Sequence, residues 1–407
     1  MTARFLAATA LGLATLAVSS AGDWPQWRGP NRDGRATGFK APAAWPKELT
    51  KKWSVKVGDG VATPSLVGDK LFVFAREGDS ATGSEVTRCL DAATGNEVWA
   101  ERYVAAFKPS ADRGFPGPRS SPTVIDGKVV TLGVNGTLSC LDAKSGKKEW
   151  RVETKGFPNF HTSSSPVVAD GLVVAQFGGE KGGGVAAYNL TDGNEKWKWT
   201  DEGTGYASPV LMTVGGTKMV VVETSASVIG LGLADGKLLW KTPFEVTGRG
   251  YNASTPMADG ETVYFSGTAR GTRAVKVEKA GETFAAKEVW HNKDNSVIYN
   301  TPVVRGKSVF GLTSNNALFR IDRESGKTAW TAETKGKGGY GSIVDAGPAL
   351  VLLTPVGQLV VYEPSDTEFK QVASYKVAGT ETYAHPVLDG NRVFVKDKDS
   401  VTLWTVE

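Results

Sequence analysis

The chain has 407 residues, a formal net charge of +4 and 40% hydrophobic residues. That charge is too small and too evenly spread to argue for nucleic acid or an anionic membrane surface as a partner. The 49 glycines, set among plentiful Val and Thr, suit many short strands joined by tight turns, and at this length repeats must be sought before domains are counted.

The first element is a leader. Arg4 precedes an apolar run over residues 5–18, and Ser19, Ser20 and Ala21 supply small residues suited to cleavage after Ala21. The run is short for a bilayer span, and no later stretch is long enough for one. No Cys lies near the cleavage site, so no lipid anchor is expected. Residues 1–21 therefore read as a signal peptide and residues 22–48 as an N-terminal arm. The mature protein is expected to be soluble, monomeric, and periplasmic or secreted.

Over residues 49–407 one phrase recurs. It reads Leu90-Asp-Ala-Ala-Thr-Gly-Asn-Glu-Val-Trp99, returns as Leu141-Asp-Ala-Lys-Ser-Gly-Lys-Lys-Glu-Trp150, and has further copies ending at Trp197, Trp240 and Trp330. Looser copies end at Trp290 and Tyr375, and Trp53 has the flanks of the same position without the phrase. These markers lie 40 to 51 residues apart, a period that means a propeller, a solenoid or an array.

The content of each unit decides between them. After the marker come a loop, usually a Pro (Pro64, Pro122, Pro166, Pro209, Pro256, Pro302, Pro386), and then short apolar strands rich in β-branched residues. The Asp-x-x-x-Gly turn and the strand carrying the marker close the unit. No segment shows sustained helical periodicity, and four short antiparallel strands make a propeller blade. The last unit stops after three strands, while the strand around Trp53 is a fourth strand without a unit. Pairing them predicts an all-β, eight-bladed propeller closed by the N-terminal strand joining the C-terminal blade.

In the turn, Asp accepts backbone hydrogen bonds and Gly takes the positive-φ position. The repeated aromatics read as blade-to-blade packing, since a single ligand cannot meet eight of them. Cys89 and Cys140 occupy the same repeat position in neighbouring units. Packed sheets lie about 10 Å apart and a disulfide needs Cα atoms within about 7 Å, so two free thiols are expected.

The phrase Leu-Asp-Ala-x-x-Gly-x-x-x-Trp resembles the tryptophan-docking repeat of PQQ-dependent dehydrogenases and of their non-enzymatic relatives, the BamB-like outer-membrane assembly lipoproteins. The segment Trp24-Pro-Gln-Trp-Arg-Gly-Pro-Asn-Arg-Asp-Gly34 is similar to the leading segment of that superfamily. The enzymatic branch implies PQQ, a calcium site of Glu, Asn and Asp, a catalytic Asp, and an adjacent Cys-Cys pair. The chain has no Cys-Cys, and Glu77, Asp79, Glu180 and Asn315 match no motif of that site, so no catalytic residue carries over. The BamB-like branch implies a lipid-bearing Cys, which is absent as well.

An independent search finds no metal-ligand spacing among His161, His291 and His385, each expected at the surface or in a loop. The Gly-rich stretch 178–184 lacks a strand–loop–helix context and reads as a turn. One constellation stands out. The residues three before the Pro that starts each inner strand, or before Ile343 where that Pro is replaced, are Val61, Arg119, Ser163, Tyr206, Ala253, Tyr299, Tyr340 and Tyr383. The inner strand lines the channel, so this position should repeat around one mouth, near Asn252 and His385. The loops 103–119 and 153–163, with Phe107, Phe115, Phe157 and Phe160, should overhang it. Candidate ligand-binding residues are thus Arg119, Tyr206, Asn252, Tyr299, Tyr340, Tyr383 and His385. An aromatic, polar mouth suits a small planar ligand or a segment of a partner protein, or packs as a plug. The function expected is a non-catalytic ligand- or protein-binding scaffold; the alternative is a quinoprotein-like oxidoreductase using PQQ and a metal ion.

Overall fold

The structure is a computed structural model that describes residues 22–79, 81–107, 115–246 and 250–407. The leader lies outside the described residues. Among those residues there are 32 strands and no helix, arranged as eight antiparallel sheets of four strands each. Blades 1 to 7 are contiguous: residues 65–104, 123–153, 167–199, 210–243, 257–292, 303–333 and 342–376. Blade 8 combines Val387–Asp389, Arg392–Lys396 and Ser400–Thr405 with Thr50–Lys56 from the other end of the sequence. Thr50 lies opposite Thr405 and Lys56 opposite Ser400, so the ring closes through one shared sheet.

Burial explains the patterning. The inner strands are mostly three residues long, and the second and third strands are covered on both faces by neighbouring blades. They therefore read as apolar runs, as in Leu350–Leu353. The outer strands are half exposed and carry the charge, as in Lys148–Glu153.

The turn and the marker lock blades together. In blade 2, Asp142 accepts from the backbone N–H of Ser145 at 2.7 Å and from its hydroxyl at 2.6 Å. The glycine ending each such turn lies flat under the indole of the preceding blade. An added Cβ would sit 2.9 Å from Trp53 at Gly95, 2.5 Å from Trp99 at Gly146 and 2.7 Å from Trp150 at Gly193. The indole N–H then donates across the junction, from Trp99 to Ala143 O, Trp150 to Leu190 O, Trp197 to Leu233 O, Trp290 to Arg323 O and Trp330 to Ser365 O.

Trp240 departs from this pattern. Blade 5 carries a long hairpin, Thr272–Ala280 with Thr283–Asn292, in place of the Asp-x-x-x-Gly turn, so Trp240 donates to Met219 Sδ in its own blade. Tyr375 donates to Pro46 O of the arm instead. Cys89 and Cys140 are both buried and unbonded to each other.

The arm crosses the channel. Trp24 exchanges two backbone hydrogen bonds with Leu66 of blade 1, and Pro25 accepts from Val124 of blade 2. The Arg32 guanidinium donates to Ser165 O and Pro166 O at the start of blade 3. The Arg28 guanidinium donates to Thr301 O and Pro302 O at the start of blade 6. Ala36 then donates to Asp345 O of blade 7, and Lys40 to Gly390 O of blade 8. Both guanidiniums are fully enclosed, and burial pushes Arg28 down to about 10 and Arg32 down to about 9, the latter aided by repulsion from Arg28. A charge so placed persists because its fork is matched to carbonyl acceptors.

Candidate functional site

The residues three before each leading Pro, or before Ile343 in blade 7, converge. All eight, Val61, Arg119, Ser163, Tyr206, Ala253, Tyr299, Tyr340 and Tyr383, line one cavity of about 320 Å³ at a single end of the channel. Each blade enters its inner strand through an equivalent loop, so a repeated sequence position becomes a ring. The arm supplies the floor. Trp27 meets His385 edge-on, with ring centroids 4.7 Å apart, and its indole N–H donates to Thr255 Oγ1 at 3.1 Å. The cavity is therefore a cup with a base rather than a through-channel.

Its walls are aromatic. Tyr299 stacks on Tyr340 with centroids 4.3 Å apart and an interplanar angle of 13°, and Tyr383 meets Tyr340 at 4.9 Å. Phe115 from the overhanging loop packs edge-on against Tyr383. Across the cup, Phe160 packs against Tyr206 and Tyr251. The Tyr206 hydroxyl donates to Glu180 at 2.6 Å, and burial, with Glu180 beside it, raises its pKa far above the ordinary phenol value. Arg119 donates to Phe115 O at 2.9 Å, which ties the rim loop to the ring.

Three expectations need correcting. Asn252 does not line the cup. Tyr251 and Ala253 face it, and in this extended segment the residue between them turns outward, where Asn252 donates to Thr224 O and Phe244 O. His161 and His385 lie in loops, as expected, and are buried, but His291 sits half-buried in the strand Thr283–Asn292. Phe107 and Phe157 do not overhang the cup; they pack on the two sides of His161. Sequence reasoning missed Trp27 as the floor, although the arm segment that carries it had been noted.

A calcium–quinone centre does not fit this lining. Calcium is held by six to eight oxygens that include carboxylates. Among the described residues no Asp or Glu lines the cup, and Arg119 is the one permanent charge among them. Glu77, Asp79, Glu180 and Asn315 are not among the lining residues. Among the described residues no group of three or more His, Cys, Asp or Glu is placed to hold a metal ion.

Fold, repeat and ring define a β-propeller of the PQQ-like repeat superfamily. Residues 82–332 match the family described as outer membrane protein assembly factor BamB, and the chain belongs to that family. Outer membrane protein assembly factor BamB of Burkholderia pseudomallei is 24% identical over 359 residues, covering 78% of this chain and 88% of that protein. A quinohemoprotein alcohol dehydrogenase of Comamonas testosteroni is 32% identical over 173 residues, but these are 39% of this chain and 22% of the dehydrogenase. Among solved structures, BamB from Moraxella catarrhalis superimposes with a TM-score of 0.63 at 15% identity, over 88% of this chain and 97% of that one. A quinohemoprotein alcohol dehydrogenase from Pseudomonas putida gives 0.67 at 15% identity, over 95% and 80%. At such identities the superpositions establish the fold and nothing more.

Proposed function

We propose that this chain is an exported, non-catalytic binding propeller whose recognition surface is the aromatic cup. The observation that carries the reading is the convergence of one residue from each of eight blades on a single cavity floored by the arm. The size of the cavity and its mix of aromatic walls with a few polar groups are those of a binding pocket. Family membership with an outer membrane protein assembly factor supports binding over catalysis, and the lack of a carboxylate among the described lining residues speaks against the oxidoreductase alternative. Residues 1–21 serve as the export signal, residues 22–48 as the arm, and the mature chain acts as a monomer.

The test is the double variant Arg119→Ala/Tyr299→Ala. Its melting temperature should stay within a few degrees of wild type, while it loses an envelope component that the wild-type protein retains in a pull-down. If the double variant unfolds, the ring is a structural plug and the reading fails.

A further inference from the structure

The residue before the Pro that leads into each inner strand, or before Ile343 in blade 7, is Ser or Thr in blades 1 to 7, from Thr63 to Ser342, and His385 in blade 8. The hydroxyl has a visible purpose. Ser121 N–H donates to Ser165 Oγ, Ser165 N–H to Ser208 Oγ, Ser208 N–H to Thr255 Oγ1 and Thr255 N–H to Thr301 Oγ1, at 2.9 to 3.2 Å. The N–H of His385 likewise donates to Thr63 Oγ1 at 2.9 Å. At these five of the eight junctions one small side chain clasps the neighbouring blade around the channel. At the junction of blades 7 and 8 the clasp has no hydroxyl to accept it, because His385 stands there.

His385 is 3% exposed, and neither ring nitrogen has a hydrogen-bond partner. Burial, with the Arg28 charge nearby, holds its pKa well below the ordinary value, so the ring is neutral and carries one N–H donor and one acceptor.

A second position breaks the repeat in the same way. One position earlier the other blades have Ala, Gly or Ser, and blade 6 has Asn300. Asn300 is 2% exposed. Its Nδ2 donates to Leu312 O at 2.7 Å and Gly339 O at 3.0 Å, which fixes the amide orientation. Its Oδ1 is left without a partner. Both outliers line the cup. An unmade buried hydrogen bond costs about 1–3 kcal/mol, and the Ala or Gly that four other blades carry at the Asn300 position has no side-chain group to leave unpaired. Such departures from a consistent repeat point to a site.

We propose that the cup takes an uncharged planar ring bearing an amide-type group, whose N–H serves Asn300 Oδ1 and whose oxygen takes the His385 N–H. This inference rests on the reading of the cup as a binding site. The aromatic walls supply faces for the ring. An ammonium would meet the Arg28 and Arg32 charges behind the floor. A carboxylate would set its lone pairs against Asn300 Oδ1.

The test titrates benzamide, benzoate and benzylamine against the mature chain by ligand-observed NMR. Benzamide should bind about tenfold more tightly than either charged analogue, the worth of one well-made hydrogen bond. His385→Ser, which restores the repeat residue, should keep or raise the melting temperature, Asn300→Ser should lower it through loss of its two carbonyl bonds, and each should weaken benzamide about tenfold. Lower melting with benzamide binding intact would make the two residues structural and overturn the proposal. Preference for benzoate or benzylamine would leave a binding cup but overturn the amide class. So would failure of all three probes while the Arg119/Tyr299 pull-down succeeds. Failure of both experiments would sink the cup itself.

Discussion

Replacing Trp150 isolates what a marker contributes to one blade junction. Its indole is 7% exposed, lies on Gly193 of blade 3 and donates to Leu190 O at 2.9 Å. Truncation to alanine removes a buried large aromatic and should cost about 3–5 kcal/mol. Trp150→Phe keeps most of the packing and loses the N–H, leaving the Leu190 carbonyl unpaired, for about 1–2 kcal/mol beyond the change in volume. Trp240 is the internal control. It is buried to the same degree, but its N–H meets a thioether sulfur, a weak acceptor. Trp240→Phe should therefore cost about 1 kcal/mol less than Trp150→Phe. Urea unfolding midpoints, with the slopes checked for constancy, give the comparison. A Trp150→Ala cost below about 1 kcal/mol, or equal costs for the two phenylalanine variants, would refute the junction argument.

Three further outcomes are expected. The double variant Arg28→Ala/Arg32→Ala unpairs carbonyls at the starts of blades 3 and 6 and should lower stability by at least about 3 kcal/mol, measured by thermal denaturation; an unchanged melting temperature would mean the arm is a passenger. Burial pushes the Cys89 thiol up to about 11 and the Cys140 thiol up to about 12, so the native protein should resist thiol reagents at pH 8 and react fully when unfolded; rapid native labelling would place either thiol at the surface. His385 stays neutral when folded but gains a proton near pH 6.5 when unfolded, so the unfolded state binds more protons as pH falls. Wild type should lose about 1.4 kcal/mol per pH unit below that point relative to His385→Ser; parallel stability curves would show that the imidazole is not held neutral.

Much of this architecture was legible in the sequence because it is repeated. Trp53 without a unit and a last unit without a fourth strand together gave the closure between Thr50–Lys56 and Ser400–Thr405. The tyrosine ring was visible because one repeat position maps onto one place in every blade. What escaped was whatever the repeat does not encode. The role of Arg28 depends on backbone carbonyls 273 and 274 residues away, and carbonyls leave no mark in a sequence. Asn252 was misplaced because proximity in sequence does not say which way a side chain turns. Trp240 carried the marker, but its partner turn was missing from the next blade, so its bond closed within its own sheet.

The arm has a consequence for how the protein is made. Segments near the start of the chain are held by segments near its end: Lys40 by Gly390, Thr50 by Glu407 across 357 positions. Blades 1 to 7 are local and can form as they emerge, and the arm finds its first partners among them, but Thr50–Lys56 has no partner strand until Ser400–Thr405 has been synthesised. Such distant contacts form slowly and leave open edges meanwhile. A chain cut short by even its final strand would present both halves of the unfinished seam, and a second truncated copy could complete them. Premature termination should thus yield intermolecular ring closure, chain end to chain start, rather than a smaller propeller.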